Sequence, residues 1–105
     1  MDIVVVNSDD STVGVLLGYG NGSFAEQRTY LTDSRPCSVG IGDFNNDQWL
    51  DIVVANGYNN TVSVLLSYHN SSFAPYVTYA TGSHPSSVAV ADINHDKQLD
   101  IMVIN

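Results

Sequence analysis

The apolar residues of this chain come in short β-branched runs, and no sustained helical spacing links them. Residues 51–56 (DIVVAN) form a continuous run, as expected of a strand buried on both faces. Residues 61–68 (TVSVLLSY) are a second run, and residues 73–80 (FAPYVTYA) a third, more polar and aromatic one. Residues 87–92 (SVAVAD) alternate Val with Ala, while residues 38–43 (SVGIGD) alternate Val or Ile with Gly. Small residues at every second position suit a strand on a crowded inner wall, where neighbours approach closely. Clusters of Asn, Gly and Ser at 20–23 (GNGS) and 57–60 (GYNN) separate the runs and predict turns.

The pattern repeats. Shifting the chain by 49 residues places Asp2 on Asp51, Phe24 on Phe73, Tyr30 on Tyr79, Pro36 on Pro85 and Asp43 on Asp92 without a gap. Residues 2–50 and 51–99 agree at 26 of 49 positions, and residues 100–105 (DIMVIN) begin a third copy. Residues 1–105 therefore read as a single two-repeat unit with no linker. Four short strands in about 49 residues is the size of one β-propeller blade. The predicted fold is all-β: two four-stranded propeller blades plus one extra strand, grouped three, four and two along the chain.

Blade counting then points outward. Propellers close with roughly four to eight blades, and repeats generally need about three copies to bury their faces. The chain is expected to self-associate, or to be a piece of a longer array. Two, three or four copies would close a propeller of four, six or eight blades through heterologous contacts. Residues 2–7 and 100–105 are copies of one strand, so both compete for one place at each junction.

Composition narrows the partners. Eleven acidic residues oppose three basic ones, for a formal net charge of −8. That balance argues against nucleic acid and anionic membranes, which require a basic face. At 44% hydrophobic and 13% charged, the chain is not a disordered acidic tail. No apolar run approaches the roughly 18–20 residues of a membrane span, and no signal peptide precedes the first strand.

The acidic residues have a pattern of their own. Residues 43–51 (DFNNDQWLD) recur as 92–100 (DINHDKQLD), with oxygen-bearing side chains at loop positions 1, 3, 5 and 9. A hard cation such as Ca²⁺ takes six to eight oxygens at about 2.3–2.6 Å, and alternate positions of a tight turn can point inward together. Position 7, Trp49 or Gln98, would add a backbone carbonyl, and the last Asp would bind through both oxygens. Leu50 and Leu99 would anchor each loop into the core. Asp and Asn also favour plain turns, but here the four oxygen positions are identical between copies while the residues between them drift. Zinc is disfavoured, since no Cys/His cluster exists.

The stretch from Gly20-Asn-Gly-Ser-Phe-Ala25, through Tyr30, Pro36 and Ser38-Val39, to Gly42–Asp47 and Leu50–Asn56 resembles the FG-GAP/VCBS repeat. That family includes the blades of integrin α-subunit propellers and of several secreted lectin-like propellers. The resemblance implies an extracellular calcium-binding blade with the ion between its first and second strands. By position, the ligands would be Asp43, Asn45, Asp47, Trp49 (carbonyl) and Asp51, then Asp92, Asn94, Asp96, Gln98 (carbonyl) and Asp100. One departure stands out. The family usually has Gly at the sixth loop position, where φ tends to be positive; here it is Gln48 and Lys97. A non-Gly residue held there costs about 1–2 kcal/mol, and Lys97 adds a cation beside its own site. Calcium affinity is therefore expected near 10⁻⁴–10⁻³ M, with the second loop the weaker.

An enzyme is not expected. His69, His84 and His95 each occur in only one repeat and in predicted loops. There is no nucleophile elbow and no phosphate-binding Gly loop. Cys37, aligned with Ser86, reads as a small packing residue. The Phe24/Phe73 and Tyr30/Tyr79 pairs read as blade core and inter-blade packing. Asn21, Asn59 and Asn70 begin N-x-S/T sequons, which an Asn/Ser/Thr-rich chain also produces by chance. Three function classes remain: a Ca²⁺-stabilised module for self-assembly and extracellular protein interaction or adhesion, a carbohydrate-binding propeller using aromatics such as Tyr58, Tyr76 and Trp49, and a natural or designed fragment with no role beyond assembly.

Overall fold

The computed structural model describes residues 2–33, 35–68 and 73–105, and places among them nine strands and one 3₁₀ turn. The strands are β1 (Ile3–Asn7), β2 (Thr12–Leu16), β3 (Arg28–Leu31), β4 (Pro36–Gly42), β5 (Asp51–Asn56), β6 (Thr61–Leu65), β7 (Val77–Ala80), β8 (Ser87–Ala91) and β9 (Asp100–Ile104). They form three antiparallel meanders, β1-β2-β3, β4-β5-β6-β7 and β8-β9. This is the three, four, two grouping that the repeat predicts. The array is all-β and propeller-like, and among the described residues no sheet closes on itself.

β5 occupies the centre, and all six of its residues are buried. Its alternation serves two cores at once. Ile52 and Val54 join Val13, Val15 and Leu65 between the first and second sheets. Val53 and Ala55 join Val62 and Val88 between the second and third. The run of β-branched residues is continuous because both of its faces are covered.

β4 is the inner strand, and its glycines mark close approach. A Cβ on Gly42 would lie 2.7 Å from Leu99 Cδ1 and 2.9 Å from Val90 Cγ1; one on Gly40 would lie 3.1 Å from Val90 Cγ2. One member of each repeated aromatic pair packs at the junction, while Phe24 and Tyr79 are exposed. Tyr30 of β3 meets Phe73 of the next sheet edge-on, with ring centroids 5.2 Å apart at 77°. A polar tie accompanies it: Asp33, just beyond β3, accepts hydrogen bonds from Asn59 Nδ2 and, at 2.9 Å, from Thr61 Oγ1.

Two expectations are corrected. The third run does not form a strand over residues 73–80. Phe73 makes a single bridge to Ser67, Pro75 has no N–H to donate, and regular pairing begins only at Val77. Leu50 is not a core anchor: it is exposed, whereas Leu99 packs over Gly42. Among the described residues the first sheet has no counterpart of β4, so the surface that Leu50 would cover is missing.

Candidate metal centres

Each acidic loop joins the first and second strands of its sheet: residues 43–51 link β4 to β5, and residues 92–100 link β8 to β9. Two left-handed residues shape each loop, Asn46 and Gln48 in the first (φ 59° and 69°) and His95 and Lys97 in the second (φ 60° and 66°). These twists turn successive N–H groups inward. Asp43 accepts from Asp47 N at 3.1 Å and Gln48 N at 2.8 Å, and Asp47 accepts from Trp49 N at 2.9 Å. The second loop repeats this set, with Asp92 accepting at 3.2 and 2.8 Å and Asp96 at 2.9 Å.

Partial desolvation pushes the Asp43 carboxyl up, but the N–H groups of Gln48, Asp47 and Asn46 outweigh it and hold the group below its ordinary 3.8. Asp51 closes the loop from the first position of β5. It is fully buried, accepting from Phe44 N at 3.0 Å on one oxygen and from Ser67 N and Oγ at 2.8 and 3.2 Å on the other. Asp100 repeats only the first of these, accepting from Ile93 N at 2.9 Å.

The carboxylates converge. Asp43, Asp47 and Asp51 each offer an oxygen within 4.8 Å of the others, and so do Asp92, Asp96 and Asp100. Two ligands of one Ca²⁺ lie at most two bond lengths apart, about 5 Å, so these spacings fit a shared ion. Asn45 stands in the same cage. With its NH₂ turned inward it donates to Asp43 at 3.1 Å and to Asp47 at 3.0 Å; with its oxygen there, the cage presents oxygens alone. Asn94 has the same choice between Asp92 and Asp96. The donor set is wholly oxygen, as a hard cation requires, and the residues fit calcium. Trp49 and Gln98 are held in their loops by the N–H bonds above, and the Trp49 ring lies on the groove between the first and second sheets.

Other singled-out residues stand apart from the loops. Trp49 precedes β5 and Tyr58 follows it, so the six-residue strand separates them by roughly 20 Å. Tyr58 stacks with Arg35, whose guanidinium lies 4.8 Å from the ring centroid. Trp49 and Tyr58 lie at opposite ends of β5. His84 and His95 are exposed; His69 and the Asn70 sequon lie outside the described residues. Cys37 Sγ faces the carbonyls of Pro85 at 3.2 Å and Ala55 at 3.6 Å, between the second and third sheets.

Sequence reading expected a positive φ at Gln48 and Lys97 and missed the wider regularity to which they belong. Non-glycine residues with positive φ recur in four pairs at the 49-residue spacing: Ser11/Asn60, Arg35/His84, Asn46/His95 and Gln48/Lys97. None of these pairs is glycine and none is the same residue twice, so only the register of the repeat carries the signal.

No curated protein and no solved structure matches the chain. The family model of the FG-GAP-like repeat matches residues 1–54 and again residues 43–103; the first match includes the loop 43–51 and the second includes both acidic loops. With nearly the whole length matched, the chain belongs to the FG-GAP-like repeat family.

Proposed function

We propose that the chain is a calcium-binding propeller repeat module. Ca²⁺ occupies the loops 43–51 and 92–100 as a structural ion, and the exposed sheet faces serve self-assembly and contact with other extracellular proteins. The observation that carries this reading is the duplicated oxygen cage, whose hydrogen bonds agree to within 0.1 Å between loops of different sequence. Three carboxylates held within 4.8 Å repel one another unless a cation lies between them. The ion would neutralise that repulsion and tie the first strand of each sheet to the second; Asp43, Asn45, Asp47 and Asp51, with their counterparts, would hold it. A family of structural and interaction modules, with residues that supply only cation ligands, supports a non-enzymatic role. An affinity near 10⁻⁴–10⁻³ M would fill these loops only where calcium is abundant, which supports an extracellular setting.

Calorimetric titration of the chain with CaCl₂ tests the proposal. Two ions per chain are expected, with Mg²⁺ competing weakly. Asp43→Asn with Asp47→Asn should remove one of the two, and Asp92→Asn with Asp96→Asn the other. A parent chain that takes up no calcium at millimolar concentration sinks the reading.

A further inference from the structure

Two sheet faces have no neighbour among the described residues, and they are the two halves of an interface that the chain already forms internally. At the first junction Ile52, Val54 and Phe73 face the preceding sheet, where Phe73 meets Tyr30. One repeat earlier, the same positions are Ile3, Val5 and Phe24, and these are 40%, 39% and 38% exposed. One repeat later than Tyr30 stands Tyr79, 58% exposed, on an apolar groove with Val64, Leu66 and Val77. That groove opens beside β9, which pairs with β8 on one edge only.

The hydrogen bonds of the repeated Asp divide in the same way. Asp51 accepts from its own loop at Phe44 N and from the following strand region at Ser67 N. Asp100 makes only the loop bond, from Ile93 N. Asp2 makes only the other, from Gly18 N at 2.8 Å. β9 and β1 are each half of what β5 is whole.

We propose that a second copy of this chain completes the third sheet. Its β2 and β3 lie along β9 as β6 and β7 lie along β5. This brings its Phe24 against Tyr79 and its Gly18 N–H to Asp100. β1 of that copy and β9 are the same strand of the repeat, so they take one place between them and the other is released. Each chain then contributes two whole blades, and two to four chains close a ring of about four to eight. This inference rests on the self-assembly reading above and specifies its contact.

Light scattering on the 105-residue chain over a concentration series tests it. The expected mass is two to four times 11.3 kDa. Phe24→Ser and Tyr79→Ser sit at exposed positions; each should leave the sheet signal in circular dichroism unchanged and weaken association by roughly tenfold. Val5→Pro breaks β1 opposite Gly14 and should leave the assembly intact because β9 fills the place. Met102→Pro should be tolerated likewise because β1 fills it, and the double variant should fall to monomer. A monomeric parent chain overturns both the self-assembly reading and the composite sheet. An assembly that either single proline variant dissolves, or that both aromatic variants leave unchanged, overturns the composite sheet alone. The aromatic variants decide the matter even where a proline variant loses its sheet signal, and calcium uptake is judged separately by the titration above.

Discussion

Gln48 and Lys97 sit at φ 69° and 66°, where a Cβ crowds the backbone. Replacing them with glycine removes a strain of about 1–2 kcal/mol and adds back roughly 0.5–1 kcal/mol of unfolded-chain entropy. Gln48→Gly is therefore expected to stabilise the chain slightly, by roughly 0.5–1 kcal/mol in urea unfolding. Lys97→Gly should stabilise it by a similar amount and also tighten calcium binding in the second loop by several-fold, because it removes a cation from beside three carboxylates. Calorimetry separates the two effects: equal gains in affinity from both variants would show that the lysine charge is immaterial. The convergence of the acidic residues was legible because the loop occurs twice, which separates invariant oxygens from drifting neighbours. The left-handed pair Asn46 and His95 was not, since neither residue differs in type from an ordinary turn residue. Leu50 was misread for a different reason. It holds the same repeat position as Leu99, before the same Asp, and the partner sheet across from it differs.

At the scale of the strand, closely similar sequences have unequal fates. β1, β5 and β9 carry IVVVN, DIVVAN and DIMVI, yet only β5 is buried throughout. Periodicity reports what a strand can bury, and the neighbouring sheets determine what it does bury. The same logic governs the inner strands. Gly42 in β4 aligns with Ala91 in β8, so the repeat as such accepts a methyl group at this position. In β4, however, Leu99 Cδ1 and Val90 Cγ1 occupy that space at 2.7 and 2.9 Å. Gly42→Ala is thus expected to cost about 1–3 kcal/mol through overpacking against the third sheet. The reverse change, Ala91→Gly, should cost under about 1 kcal/mol, being a backbone-entropy effect alone. Urea midpoints of the two variants compare them directly, and a Gly42→Ala chain as stable as its parent would mean that the third sheet does not press on β4.

For the whole molecule, the charge and the loops form one problem. Six of the eleven acidic residues, Asp43, Asp47, Asp51, Asp92, Asp96 and Asp100, belong to the two cages. Two bound Ca²⁺ ions would take the formal charge from −8 to −4. On the calcium reading the acidity belongs mostly to the two loops and calls for no basic partner. Because each loop ties an inner strand to its neighbour, filling it acts on the fold as well as on the site. A ligand that binds only the folded chain contributes RT ln(1 + [L]/Kd), about 2.7 kcal/mol per site at one hundred times Kd. At a Kd near 10⁻³ M, millimolar calcium yields only about 0.4 kcal/mol per loop by the same relation. Saturating calcium should therefore raise Tm by several degrees over EDTA, and increasingly so as the concentration climbs past Kd, since roughly 1 kcal/mol moves a domain of this size by 4–8 °C. An equal ionic strength of NaCl should reproduce only the small part of the shift that comes from screening. Self-association adds its own concentration dependence, so the comparison holds at one protein concentration. If melting curves in EDTA, NaCl and CaCl₂ coincide, the loops are turns and not metal sites, and the acidic character needs another explanation.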